Sequence, residues 1–218
     1  MNRKEIKELA KSKIKGNLWK LLWPALAIGA IEGVITSIFT PAQSTTTFDY
    51  TTYTMKTSSN MSPTALIVTT LVGIICGIAM IAYKKYVLNF TREGKCDFKD
   101  IIDCIKAKWL NILLVEILVG ILVTLASLLL VVPGIILAFA YAMTTYLVVD
   151  TELDATSTMK KSREMMKGYK WDYFVFCLSF IGWALLIPVT LGLILIWLAP
   201  YMEVAEALYY DKLKELKK

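Results

Sequence analysis

The strongest constraint on the fold is a stretch without a single charge, VFCLSFIGWALLIPVTLGLILIWLAP at residues 175–200, which directly follows the basic segment SREMMKGYKWDYF. Similar apolar runs recur along the chain and are long enough to cross a bilayer, which takes about 17–25 residues per helix. With 218 residues, 56% of them hydrophobic, and a mean hydropathy of +0.56, the chain is too short to bury so many wholly apolar helices in a soluble core. The sequence therefore predicts an all-α polytopic membrane protein.

Six apolar runs are predicted to be transmembrane helices arranged as three hairpins: Leu18–Thr40, Thr64–Tyr83, Trp109–Val132, Pro133–Val149, Tyr173–Val189 and Leu191–Tyr209. We interpret residues 1–218 as a single membrane domain. Its hairpins (18–83, 109–149 and 173–209) alternate with charged segments (1–17, 84–108 and 150–172) and end in a basic tail (210–218). The Ser/Thr-rich loop 41–62 inside the first hairpin lacks a helical period and is expected to be extended or mobile.

The orientation follows from the lysine and arginine count. The three charged segments and the tail, with the first residues of the first span, hold 23 of the 24 basic residues, whereas loop 41–62 holds only Lys56. Because basic loops stay on the cytoplasmic side, both termini are predicted to be cytoplasmic in a multi-pass protein of the cell membrane.

Each charged segment is predicted to contain an amphipathic helix lying flat on the cytoplasmic leaflet, with its apolar stripe in the acyl boundary. The stripes are Ile6, Leu9, Ala10 and Ile14; Phe98, Ile101, Ile102 and Ile105; and Ala155, Met159, Ser162, Met166 and Tyr169. Candidate contacts to anionic headgroups are Lys161, Arg163, Lys167 and Lys170, with Trp19, Trp109 and Trp171 as interfacial anchors. The alternative is that these are the ordinary basic loops and interfacial tryptophans of any multi-span protein.

Four acidic residues fall within predicted spans and form the candidate intramembrane polar site: Glu32, Glu116, Glu203 and Glu206. A carboxylate in hydrocarbon is normally protonated, paired or facing water. Glu32 and Glu116 are therefore expected to face the bundle interior, either on a proton or cation path or in a single interhelical hydrogen bond. Glu203 and Glu206 lie three residues apart near the cytoplasmic interface, where Lys212 is the expected neighbour.

Several motifs resemble the domain of unknown function 975 family. They are SREMMKGYKWDYF at 162–174, LSFIGW at 178–183, TLG at 190–192 and APYMEVAEALYYDKL at 199–213. The N-terminal LAKSKIKGNLWKLL is similar to the start of that family, so the resemblance covers nearly the whole chain. The family consists of uncharacterised integral membrane proteins, mostly from Firmicutes-type bacteria. The resemblance implies a bacterial plasma membrane and supplies no catalytic residues.

The chain contains no histidine, which removes the commonest general base and metal ligand, and we find no Walker loop, nucleophile elbow or Cys-x-x-Cys pair. No cofactor, metal or nucleic-acid partner is expected. The favoured hypothesis is a non-enzymatic membrane protein of the cell envelope that acts through anionic lipids, a membrane protein partner or a second copy of itself. The alternatives are a small transporter or channel for an ion, peptide or lipid that uses the intramembrane glutamates, and an intramembrane enzyme.

Overall fold

The structure is a computed structural model that describes residues 2–39, 44–49, 54–59 and 62–217. The chain divides into two compact units. One comprises residues 1–25 and 78–218, and the other comprises Leu26–Gly77.

The described residues form ten helices and one pair of strands. The helices are α1 (Arg3–Ile14), α2 (Leu18–Phe39), α3 (Pro63–Glu93), α4 (Lys99–Leu129), α5 (Val131–Ala140), α6 (Thr144–Asp150), α7 (Ala155–Met165), α8 (Lys170–Ala184), α9 (Leu186–Val189) and α10 (Leu195–Leu216). The strands β1 (Ser44–Asp49) and β2 (Thr54–Ser59) pair in antiparallel register, with Ser44 opposite Ser59. This pair lies in the loop that was expected to be extended or mobile; the rest of that loop, and Thr40 at the end of the first predicted span, lie outside the described residues.

Five helical segments among the described residues are long and apolar enough to cross a membrane: Leu18–Phe39, Pro63–Glu93, Lys99–Leu129, Val131–Asp150 and Lys170–Val189. The prediction of six spans is not confirmed. The sixth run, Leu191–Tyr209, begins with a turn, so α10 starts only at Leu195, and Glu203 and Glu206 interrupt its apolar surface soon afterwards. The uninterrupted apolar part of α10 is therefore much shorter than a bilayer requires.

The second charged segment, 84–108, is not a separate surface helix. Helix α3 continues through it to Glu93, and α4 begins at Lys99, so that only residues 94–98 connect the two helices. Of its predicted stripe, Ile101 is buried while Phe98 and Ile102 are exposed. The reason is that this segment is the first part of a 31-residue helix that packs on α6 and α7.

Helices α1 and α7 form where the charged segments 1–17 and 150–172 predicted them. Most of each stripe is buried, as seen at Ile6, Ala10 and Ile14 in α1 and at Met159 and Ser162 in α7, whereas Leu9 of the α1 stripe is 45% exposed. The cover is protein, because α1 packs on α10 and α7 packs on α4 and α6. The prediction that these stripes lie in the acyl region is therefore wrong.

Local sequence explains where these two helices begin and end. Asn2 caps α1 by accepting a hydrogen bond from the backbone N–H of Glu5, and Asp154 caps α7 by accepting one from Ser157. Gly16 (φ 85°) and Gly168 (φ 88°) follow the two helices in the left-handed conformation, which glycine adopts without steric cost.

Candidate functional site

A largely buried lysine, 16% exposed in its side chain, joins three helices in the larger unit. The ammonium of Lys84 on α3 lies 3.2 Å from a carboxylate oxygen of Glu203 and 3.6 Å from one of Glu206, both on α10. The hydroxyl of Tyr146 on α6 lies 3.4 Å from the same Glu206 oxygen, and the Lys84 ammonium lies 4.6 Å from the centroid of the Tyr146 ring. One positive charge thus faces two carboxylates, which leaves this group with one excess negative charge.

A cavity of about 260 Å³ opens beside these carboxylates. Its walls are apolar and its polar lining comes from one tyrosine and two acids: Leu21, Leu22, Ala25, Met80, Tyr83, Leu195, Ala199, Pro200, Met202, Glu203 and Glu206. About 24% of the Glu206 side chain remains accessible, although protein surrounds its carboxylate on the other sides. Burial raises the pKa of Glu206, and Lys84 and Tyr146 oppose that rise. This carboxyl group is therefore placed to exchange a proton or to face a cation in the cavity.

A second ionic group lies further along the same helices. The guanidinium of Arg92 on α3 binds both Asp150 at the end of α6 and Asp211 on α10, with Nη1 2.6 Å from Asp150 Oδ1. The ammonium of Lys214 lies 2.6 Å from Asp150 Oδ2, and the Tyr210 hydroxyl donates to the same oxygen at 2.9 Å. Burial and the nearby Asp150 carboxylate raise the pKa of Tyr210, so that this hydroxyl remains a donor. Two cations balance two carboxylates here, which makes this group a clamp between α3, α6 and α10.

Sequence reasoning identified Glu203 and Glu206 but missed their partners. The expected neighbour, Lys212, instead pairs with Glu215. The true partner, Lys84, belongs to the run YKKY at residues 83–86, which was assigned to the end of a span and the start of a loop. The signal was available, because a lysine within the continuing helical pattern of α3 needs a counter-charge when it is buried.

Of the other two glutamates, Glu116 is not brought into this site, and Glu32 belongs to the smaller unit. Glu116 is exposed on α4, whose buried residues are Ile101, Cys104, Ile112 and Val115. The prediction that it faces the bundle interior is therefore wrong for the single chain, because the face of α4 that packs on its neighbours ends next to it. Glu32 is half-buried in the smaller unit, and the Thr36 hydroxyl donates to its backbone carbonyl at 2.7 Å.

The predicted lipid contacts lie on accessible surface. Lys161 and Arg163 on α7 and Lys167 in the following turn are exposed, and Lys170, the first residue of α8, is half-buried. The three predicted anchors Trp19, Trp109 and Trp171 are also exposed, each by more than half of its surface. We define Lys161, Arg163, Lys167 and Lys170 as the basic face.

Short-range electrostatics also fix the segment that leads into α7. The Lys108 ammonium on α4 lies 2.8 Å from Glu152 and donates to the Thr151 carbonyl at 2.7 Å. Hydrogen bonding to Lys108 lowers the pKa of Glu152, and hydrogen bonds from Ser157 and Thr156 lower the pKa of Asp154. These contacts hold the start of α7, and therefore its basic face, in a defined place on α4.

Among the described residues, no group of three or more Cys, Asp or Glu side chains comes together in a way that could hold a metal ion. Residues 121–217 match the model of the family described as Protein of unknown function (DUF975). The resemblance inferred from the C-terminal motifs is thereby confirmed over this region, whereas the N-terminal LAKSKIKGNLWKLL lies outside the match. Neither a curated protein nor a solved structure matches the chain.

Proposed function

We propose that this DUF975-family chain is a non-enzymatic multi-pass membrane protein that acts in the cell envelope by binding anionic lipids at the cytoplasmic surface. The single observation that carries the proposal is the basic face, in which Lys161, Arg163 and Lys167 are exposed while the opposite side of α7 is buried in protein. A helix fixed in this way presents its cations without losing conformational freedom on binding.

The surroundings of the basic face support lipid as the partner. Trp171 directly follows Lys170 and is 74% exposed, and indole rings favour the headgroup level of a bilayer. A lysine or arginine near an anionic surface contributes about 1 kcal/mol of attraction. The basic face should therefore bind phosphate-bearing headgroups strongly enough to retain them in detergent.

The test compares two fourfold variants in native mass spectrometry and in flotation with vesicles of neutral or anionic lipid. Replacing Lys161, Arg163, Lys167 and Lys170 by Gln should reduce the number of anionic lipids that are retained. The control variant exchanges Lys for Arg and Arg for Lys at the same positions, and should bind like the native protein. Equal retention of anionic lipid by the native protein and the Gln variant, both folded, would contradict the proposal.

A second candidate function, transport of protons or small cations, is supported by the cavity beside Glu203 and Glu206. One excess negative charge and a carboxyl group of raised pKa, next to an accessible volume of about 260 Å³, are features of a site that loads and releases a cation.

Proteoliposomes that contain a pH-sensitive dye test this second candidate. If the chain conducts protons through this site, an imposed potential should drive acidification that Glu206→Gln abolishes. Glu215→Gln, an exposed acid on the same helix, is the control. Absence of flux in the native protein would exclude proton transport, and a parallel measurement with K⁺ and Na⁺ addresses the cations.

A further inference from the structure

Helix α1 lies alongside α8, one of the apolar helices long enough to span a membrane. Arg3 reaches Asp172 at 3.6 Å, near the beginning of α8. One turn further, the Lys7 ammonium donates to the Ser179 carbonyl at 3.4 Å and lies 4.9 Å from the centroid of the Phe180 ring. The contacts advance together along both helices, so basic side chains of α1 follow α8 from Asp172 to Phe180.

A third contact, made by Lys11, lies further along α8. The Lys11 ammonium lies 5.9 Å from the ring centroids of both Trp183 on α8 and Tyr201 on α10. At the same level an open groove of about 400 Å³ is lined by Lys11, Lys15, Trp183 and Trp197, among others. Lysine with tryptophan is the pairing typical of the headgroup region.

Helix α1 cannot itself lie in hydrocarbon. Four of its charged side chains and that of the following Lys15 are exposed, and they carry both signs: Lys4, Glu5, Glu8, Lys11 and Lys15. Exposed charges of this number must meet water or headgroups, because each costs several kcal/mol in a bilayer interior. The charge of Lys11 is located by its ammonium, which lies beside Trp183 and Tyr201. The length of the lysine side chain therefore does not move this charge to another level.

The hairpin that remains beyond Lys11 is short. It comprises residues 184–200, with a turn at 190–194 in which Leu191 (φ 49°) and Gly192 (φ 83°) reverse the chain. Each arm, 184–189 and 195–200, holds six residues, which at about 1.5 Å per residue reach roughly 10 Å, against about 30 Å for the hydrocarbon core. Apolar segments this short are typical of re-entrant or interfacial elements.

We propose that the hairpin formed by α8, α9 and the start of α10 is re-entrant: it enters the leaflet on which α1 lies and returns to the same side. Its partner is the acyl chains of that one leaflet. The surface fits this partner, since Leu185, Val189, Leu191 and Leu193 are each at least 69% exposed at the tip and none of them is polar. The proposal is independent of the basic face and of any transport activity.

Single cysteines test the depth of the tip in a parent whose native residues Cys76, Cys96, Cys104 and Cys177 are replaced by Ala. Leu191→Cys reports the position of the proposed re-entrant tip. Leu129→Cys reports the position of the tip of the α4–α5 hairpin, because Leu129 lies 21 positions beyond Lys108 along α4. Lys4→Cys marks the side on which α1 lies. Each variant is reconstituted in liposomes and treated with a membrane-impermeant maleimide on either side.

The expected result is that Lys4→Cys reacts on one side, Leu129→Cys reacts on the opposite side, and Leu191→Cys reacts on neither. A nitroxide on Leu191→Cys should then show high accessibility to oxygen and low accessibility to a water-soluble nickel complex, at a depth of about 10 Å below the headgroups of the α1 side.

Two outcomes would overturn the proposal. In the first, Leu191→Cys is labelled from the side opposite to Lys4→Cys, or its nitroxide lies at the headgroups of that opposite side. Either result would show that the hairpin spans the bilayer. The second outcome is exposure of the nitroxide to the nickel complex on the same side as Lys4→Cys, which would show that the tip is not inserted. Val189→Cys, on the other arm, repeats the measurement if Leu191→Cys does not fold.

Discussion

Two hairpins of this chain have similar apolar composition and differ in what lies beside them. In the α4–α5 hairpin, the ion pairs that α4 makes among the described residues end at Lys108, which binds Glu152, and the apolar run from Trp109 to the tip at Leu130 lies beyond it. In the α8–α10 hairpin, a charged helix lies along the first arm as far as Trp183. The difference teaches that apolar length permits a segment to cross a membrane, whereas the charges packed against it limit how far it enters.

The bases of the two hairpins also differ. Asp150, at the base of the first, is 4% exposed in its side chain and is bound by Arg92, Lys214 and Tyr210. Asp172, at the base of the second, is 22% exposed and is bound more loosely, by Arg3 at 3.6 Å and by the Tyr209 hydroxyl at 3.1 Å. The first hairpin is therefore clamped to the body of the protein, and the second is held by weaker contacts.

The largest expected effect comes from removing the buried clamp. Asp150→Ala leaves Lys214 without its carboxylate and Arg92 with one instead of two, and loss of one partner from a buried ionic group costs about 3–5 kcal/mol. Asp172→Ala removes a more exposed pair and one hydroxyl contact, for which we expect about 1 kcal/mol. The free energy of unfolding in mixed micelles measures both. Equal losses for the two variants would contradict the difference between the hairpin bases.

A smaller effect is expected where the arms of the first hairpin meet. Gly134 lies so close to α4 that an added Cβ would stand 2.1 Å from Ser127 Oγ and 2.9 Å from Ser127 Cα. Gly134→Ala should therefore push α5 away from α4 and cost about 1–3 kcal/mol, as overpacking usually does. Gly120→Ala on α4 is the control, because nothing lies within 4 Å of its added Cβ. A Gly134→Ala variant as stable as the Gly120→Ala variant would show that the arms separate without cost.

The sequence was sufficient for elements whose signal is local. The helical apolar runs, the helices α1 and α7, and the glycines that follow them are all visible as periodicity and punctuation. It was insufficient where the outcome depends on which surface covers a face. The stripe that includes Ile6 and Ala10 predicts burial equally well against lipid and against α10, and only the tertiary contacts decide between them.

The candidate site shows the same limit. Glu203 and Glu206 were identified because acids are conspicuous in an apolar run, but Lys84 lies 119 positions away from Glu203 and carries no local mark of that partnership. Glu116 was equally conspicuous in the sequence, yet its side chain is exposed. The position of a residue in a helix does not by itself say which side of α4 the neighbouring helices cover.

The smallest expected effect is a difference between α1 and α7 in how pH changes the stabilisation that their N-terminal capping residues provide. Both have a capping side chain at the N-terminus, but Asn2 on α1 does not titrate, whereas hydrogen bonds from Ser157 and Thr156 lower the pKa of Asp154 on α7. A lowered folded-state pKa stabilises the fold above the unfolded value of about 3.9 and loses that contribution as the pH falls below it. The drop in thermal midpoint caused by Asp154→Ala should therefore be larger at pH 7 than at pH 3, while the drop caused by Asn2→Ala should be the same at both. A pH-independent effect of Asp154→Ala would show that its carboxylate does not stabilise α7 through its charge.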